Sequence, residues 1–204
     1  GYWAAYVPGN SKRLYPEGFA RKLPASSTVS FQIHYTPNGR ATQDQLRMGL
    51  YFADRPPQFV VETLAVPKRQ LNIPPGDANH LEVETRSVPF DVNAMSFMAH
   101  MHVRGKSFKY EVVKAGGASD ILLNIPRYDF NWQLRYDLSK PVTLRRGDRL
   151  KITAVFDNSS GNPANPDPTR TVKWGPQTTD EMMIGYIEHF KPAPQLEAQV
   201  RITP

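Results

Sequence analysis

A chain of 204 residues, 40% of them hydrophobic, is long enough to bury a core of its own, and its 19 Pro and 13 Gly leave no long stretch fit for an amphipathic helix. The net charge is +6, but the basic residues come in scattered pairs such as Lys12-Arg13, Lys68-Arg69 and Arg145-Arg146, which excludes a nucleic-acid-binding tail and leaves a solvated surface with a weak bias toward anionic partners. With no cysteine, disulfides, thiolate metal sites and thiol catalysis are excluded, so any metal must rest on His, Met and carboxylates.

The chain opens Gly1-Tyr2-Trp3, without a start Met or an apolar leader, and has no apolar run of roughly 18 residues that could span a membrane; it reads as an excised or processed segment of a soluble protein. Residues 1–23 mix aromatics with turn formers and are expected to be an irregular covering segment. From Thr28 to Tyr35 apolar and polar residues alternate, which predicts a half-buried strand, and Leu46 to Phe52 predicts a second. Arg55-Pro56-Pro57 then breaks both ladders and helices, so a domain edge is placed between residues 1–54 and 55–204. Further strands are expected at Phe59 to Ala65, Leu81 to Val88, Ala94 to Val103, Phe108 to Val113, Ile121 to Ile125, Leu150 to Phe156, Glu181 to Phe190 and Leu196 to Ile202. Short strands at this spacing predict an all-β fold, a jelly-roll β-sandwich.

Arg146-Gly147-Asp148 matches an adhesion tripeptide but reads as a turn feeding the next strand. Asp157 to Thr169, rich in Asn, Asp and Pro, contains the formal glycosylation acceptor Asn158-Ser159-Ser160, lacks the oxygen spacing of a calcium loop, and reads as a surface loop.

The chemistry concentrates in His100-Met101-His102. In an extended run both imidazoles point to one face and Met101 to the other, so the pair can share a metal, although such pairs also occur as surface histidines. In Asp180-Glu181-Met182-Met183-Ile184-Gly185-Tyr186 the alternation puts Met182, Ile184 and Tyr186 on one face and Met183, Ile187 and His189 on the other. A Met in a β core ordinarily packs, but a thioether beside two imidazoles would favour copper, Cu(I) above all.

These segments resemble the copper type II, ascorbate-dependent monooxygenases, the family of peptidylglycine α-hydroxylating and dopamine β-monooxygenases. The resemblance implies that His100, His102 and Met182 bind the catalytic copper, with Gly105-Lys106 and the run from Trp174-Gly175 to Met182 fitting the same pattern. It further implies two jelly-roll domains with a copper each. Gln32-Ile33-His34-Tyr35 matches a strand holding one of three His ligands of the electron-transfer copper, while the adjacent His-His pair that completes that site does not occur in the chain. Residues 1–54 would then be the C-terminal part of the first domain and 55–204 the second.

Two positions bear on substrate. Met98 stands where the peptide-amidating enzyme has a carboxylate-binding Arg, so a glycine-extended peptide is not the expected substrate, whereas Tyr186 matches a substrate-facing Tyr. His80 and His189 are not expected to bind metal. The lack of the family's disulfides points to a bacterial-style relative, with secretion or a periplasmic location expected. The functional expectation is a monooxygenase that hydroxylates a C–H bond of a small molecule or peptide, using dioxygen and ascorbate or another donor. The alternatives are a copper carrier or interaction module, fused to or associated with upstream domains, and a purely structural jelly roll.

Overall fold

A computed structural model describes residues 3–194. Its strands are β1 (Phe19–Ala20), β2 (Phe59–Pro67), β3 (Asn72–Ile73), β4 (His80–Ser87), β5 (Val92–His100), β6 (Gly105–Val113), β7 (Ser119–Ile125), β8 (Tyr136–Leu144), β9 (Arg149–Phe156), β10 (Val172–Lys173) and β11 (Ile184–Pro192). One sheet runs β1-β2-β11-β5-β8 and the other β4-β9-β6-β7, with β10 and β3 paired separately. Apart from the short parallel β1, every strand-to-strand pairing among the described residues is antiparallel. Eight long strands in these two orders make the jelly roll that the sequence predicts.

Alternation in the strands builds the core. In β9, Leu150, Ile152, Ala154 and Phe156 are all buried, and they meet Phe97 and Ala99 of β5, Phe108 and Tyr110 of β6 and Ile187 of β11 in one cluster. The Phe97 and Tyr110 rings lie 4.9 Å apart across the sandwich. A side chain at Gly185 would come within 2.9 Å of the Tyr110 ring, so glycine lets β11 close over that ring.

One irregularity positions the functional face. The registers of β5 with β8 and with β11 both slip between Ala94 and Ser96, leaving Met95 as a bulge that reverses the parity of the strand. Before it Val92 and Ala94 face the core; after it Phe97, Ala99 and Met101 do, and Ser96, Met98 and His100 face outward.

The first residues cover part of that outer face. Phe19 packs on Phe59 and Phe190 with ring centroids 4.7 and 5.0 Å apart. Arg13 and Arg21 both pair with Glu188 of β11, at 2.5 and 2.7 Å, and Tyr15 donates to the same carboxylate at 2.7 Å.

The expected strands at Thr28 to Tyr35 and Leu46 to Phe52 do not form: residues 21–57 contain none. Among the described residues no ladder partner reaches them, and Val29, Phe31 and Ile33 stay 40, 54 and 44% exposed. Conversely, β8 was not predicted. Pro141 within it removes a ladder donor, which is tolerated because β8 is an edge strand whose register breaks in this region. The expected strand at Leu196 to Ile202 lies outside the described residues.

Both decoy motifs resolve structurally. Gly147 takes the left-handed turn conformation at φ 90°, and Asp148 is buried, accepting the Arg145 N–H at 3.0 Å. Asn158 is not a surface residue: it is fully buried and its amide donates to the Pro74 and Arg170 carbonyls, so it offers no acceptor for a glycan.

Candidate metal centre

His100 is the last residue of β5, and His102 lies just beyond it in the turn leading to β6. Outward alternation nevertheless continues, because Met101 between them is locked into the core. The Tyr128 hydroxyl accepts from the Met101 N–H at 2.9 Å and donates to its carbonyl at 2.6 Å. The two imidazoles therefore stand together, with ring centroids 5.2 Å apart and planes at 78°. Gly105 closes the turn, its N–H bonded to the His102 carbonyl at 3.1 Å. A Cβ there would lie 2.7 Å from the Tyr128 ring and 2.9 Å from Met101. Gly105→Ala is expected to cost about 1–3 kcal/mol of stability, as overpacking against a fixed ring does, in a urea denaturation series.

Each imidazole is oriented by a second partner. His100 Nδ1 lies 2.7 Å from Gln133 Oε1, and His102 Nδ1 lies 3.2 Å from the Asp180 carbonyl oxygen. Both partners only accept, so each Nδ1 carries the proton and each Nε2 keeps its lone pair, the tautomer a metal ligand needs. Burial lowers the His100 pKa to about 4, against the Gln133 hydrogen bond and with help from the charges of His102 and His34. Burial also lowers the His102 pKa, against hydrogen bonds that its ring donates to the Asp180 and Gln177 backbone.

Glu181 ties the segment around Met182 to the His pair. It is fully buried, and its carboxylate accepts from the backbone N–H of His102 at 2.8 Å, Arg104 at 2.7 Å and Met182 at 3.3 Å. Burial pushes its pKa up to about 7, although those donors and the Arg104 guanidinium favour the charged form. Arg104 is itself fully buried, donating to Asn158 Oδ1 at 2.9 Å and the Thr179 carbonyl at 3.0 Å. The Asn-rich loop thus braces the centre from behind. Trp174 bridges Glu181, and the Gly175 N–H bonds the Glu181 carbonyl, closing the run between them into a loop.

β11 pairs Ile184 with His100 and Tyr186 with Met98. Carried one outward step past Ile184 and His100, the same register sets Met182 opposite His102, on the outward side; Met183 is fully buried in the core. Tyr186, half-buried, shares the outward face. His34 is exposed, close enough for its charge to disfavour protonation of both imidazoles. Among the described residues no three His, Cys, Asp or Glu side chains gather closely enough to hold a metal, so His34 does not join the pair in such a cluster. His80 is held between Asp77 and Glu82 at 3.3 and 3.2 Å, and His189 is buried on the core side.

The model of the copper type II ascorbate-dependent monooxygenase C-terminal domain matches residues 60–202. The chain belongs to this family. The match spans the jelly roll and takes in the whole centre, from the His pair to Met182. Copper and ascorbate dependence are properties of these monooxygenases, and the donor set of the chain suits copper: two neutral imidazoles with free Nε2 lone pairs, and a thioether on the same side of the sheet. Sequence reasoning missed Gln133, Tyr128, Arg104 and the role of Glu181. Of these only Glu181 left a signal, as a carboxylate at the start of a core strand.

Proposed function

We propose that His100, His102 and Met182 hold one copper ion, and that the domain is the catalytic half of a monooxygenase hydroxylating a substrate C–H bond with dioxygen and a donor such as ascorbate. What supports this most is the pair of adjoining imidazoles whose Nδ1 atoms are both engaged, leaving two Nε2 lone pairs available. Overall, one oxygen atom enters the substrate C–H bond and the other leaves as water, with two electrons taken from the donor. When bound, copper supplies the one-electron chemistry and an open position for dioxygen.

The chain's own residues supply the frame. Gln133 and the Asp180 carbonyl hold the rings and their tautomers, and Met101, pinned by Tyr128, sets their spacing. Met182 contributes a soft donor that favours the reduced ion. Met98, Ile184 and Tyr186 form an apolar floor beside the pair, able to seat an organic substrate and exclude water from it. The substrate is a small molecule or a peptide, and with Met98 on that floor not specifically a glycine-extended one. Residues 1–54 we assign to a first β domain, whose partner strands would cover Val29, Phe31 and Ile33.

Cu(I) competition titration of wild type and Met182→Ile tests the ion: a loss of at least tenfold in affinity is expected, and unchanged affinity removes Met182. Substrate-dependent oxygen uptake with copper and ascorbate, in protein extended upstream, tests the reaction. A second reading, a copper-carrying module, is favoured by His34 standing outside any metal cluster among the described residues; copper binding without oxygen uptake selects it.

Because burial holds the His100 pKa near 4, below the ordinary value of 6.5, protons compete for its lone pair only in acid. Burial lowers the His102 pKa as well, so copper affinity is expected to fall less between neutrality and about pH 5.5 than it would for an exposed His pair. A titration series in pH checks this.

A further inference from the structure

Four residues that the pairing registers set in one row carry the first residues of the chain across the outward face. Asp137 of β8 stands opposite Ser96 of β5, Ser96 opposite Glu188 of β11, and Glu188 opposite Thr63 of β2. Arg13 bridges Asp137 and Glu188 at 2.8 and 2.5 Å, Ser96 donates to Glu188 at 2.9 Å, and Arg21 spans Glu188 and Thr63. The Tyr15 hydroxyl donates to Glu188 at 2.7 Å, and the Arg13 guanidinium lies 4.7 Å from the centre of the Tyr15 ring.

This row is sealed although it faces outward. Ser96 is 1% exposed, and the side chains of Arg21 and Glu188 are 10 and 12% exposed. Burial works against the Glu188 charge, but Arg21, Tyr15, Arg13 and Ser96 together hold its carboxyl below the ordinary value, so the cluster stays ionised at neutral pH.

One row nearer the metal centre the cover stops. Met98, Tyr186 and Ala65 form that row, and Met98 and Tyr186, like His100 beyond them, are only half-buried. From His100 to Ser96, and from Ile184 to Glu188, is four residues, about 13 Å of extended strand. With the imidazole at one end and the sealed row at the other, the open length centres on Met98 and Tyr186. Beyond Arg13 the strap reaches the turn at Val7 and Asn10, where a Cβ at Gly9 would lie 3.2 Å from the Leu134 side chain. Leu134 follows Gln133, the partner of His100. The strap therefore bounds the floor behind and on the side leading into β8.

We propose that Arg13 and Tyr15 form the back wall of the substrate floor and set substrate length, admitting an apolar body about one ring long and excluding a longer one. This rests on the proposal that the face receives substrate. Where nothing blocks it, a second ring adds affinity through the apolar area it buries, so a preference for the shorter body is the mark of a wall.

The test titrates 3-phenylpropanamide and 3-(4-biphenylyl)propanamide, which differ by one ring, into wild type, Tyr15→Ala and the double variant Arg13→Ala with Tyr15→Ala, with binding followed by NMR chemical shifts. Wild type is expected to bind the shorter amide at least tenfold more tightly, with shifts at Met98 and Tyr186. In the double variant that preference should vanish through tighter binding of the longer amide, while affinity for the shorter one holds, and Tyr15→Ala should fall between. Leu14→Ala, at an exposed neighbour in the same strap, should keep the preference. Equal binding of the two amides by wild type, a preference unchanged in both wall variants or lost equally in Leu14→Ala, or no binding of either amide at millimolar concentration overturns the proposal. Equal binding with shifts at Met98 and Tyr186 removes the wall and leaves the substrate face standing. A preference set by the wall, in a protein that takes up no oxygen with copper and ascorbate, keeps the wall and removes the monooxygenase reading.

Discussion

Replacing Glu181 with Ala is expected to remove roughly 3–5 kcal/mol of stability, since buried donors left without an acceptor cost about 1–3 kcal/mol each. The carboxylate is fully buried, and its loss strands the N–H groups of His102, Arg104 and Met182 and removes a negative charge that acts on the Arg104 guanidinium. Arg104 cannot turn to water, since it is fully buried and held by Asn158 and the Thr179 carbonyl. Glu181→Gln keeps the shape but aims an amide N–H at backbone N–H donors, so it should recover only part of the loss. Urea denaturation of both variants measures this; an Ala variant within about 1 kcal/mol of wild type would show that the carboxylate does not hold the two segments together.

Replacing His100 with Ala is expected to lower Cu(I) affinity by at least a hundredfold while changing stability little. His100 sits at a strand end, half-buried, with Gln133 bonded to its ring and the His102 ring beside it. His102→Ala should act alike on copper. Gln133→Leu is a milder version: it frees the His100 tautomer without removing the ligand, and the outer partner of a metal-bound imidazole is worth about 10–100-fold in affinity. Competition against a Cu(I) chelator reads all three, and equal affinity across the series would mean that copper binds elsewhere.

Much of the fold was legible because strand alternation is a local property. β2, β4, β6, β7 and β9 stand where their apolar periods put them, within a few residues. Thr28 to Tyr35 shows the limit of that signal: period two says which residues could face a core, while a strand also needs a partner ladder. β8 shows the opposite failure, since Pro141 and its polar neighbours hide an edge strand that needs few ladder bonds.

At the centre, the facing of His100 and His102 followed from their spacing alone. The Met95 bulge is what turns Val92 and Ala94, of the same parity as His100, to the core instead, and the run from Ala94 to Val103 carries no mark of it. Gln133, Tyr128 and Arg104 reach the centre only through sheet order and the turns joining β5 to β6 and β7 to β8. Sheet order is a global property that no window of sequence contains.

The proposed centre has two imidazoles and one thioether on a single copper. X-ray absorption of the protein loaded with one equivalent of Cu(I) tests it most directly. Two nitrogen scatterers and one sulfur scatterer are expected, with the sulfur contribution gone in Met182→Ile. A wild-type spectrum without sulfur, or one unchanged by that substitution, would contradict this coordination.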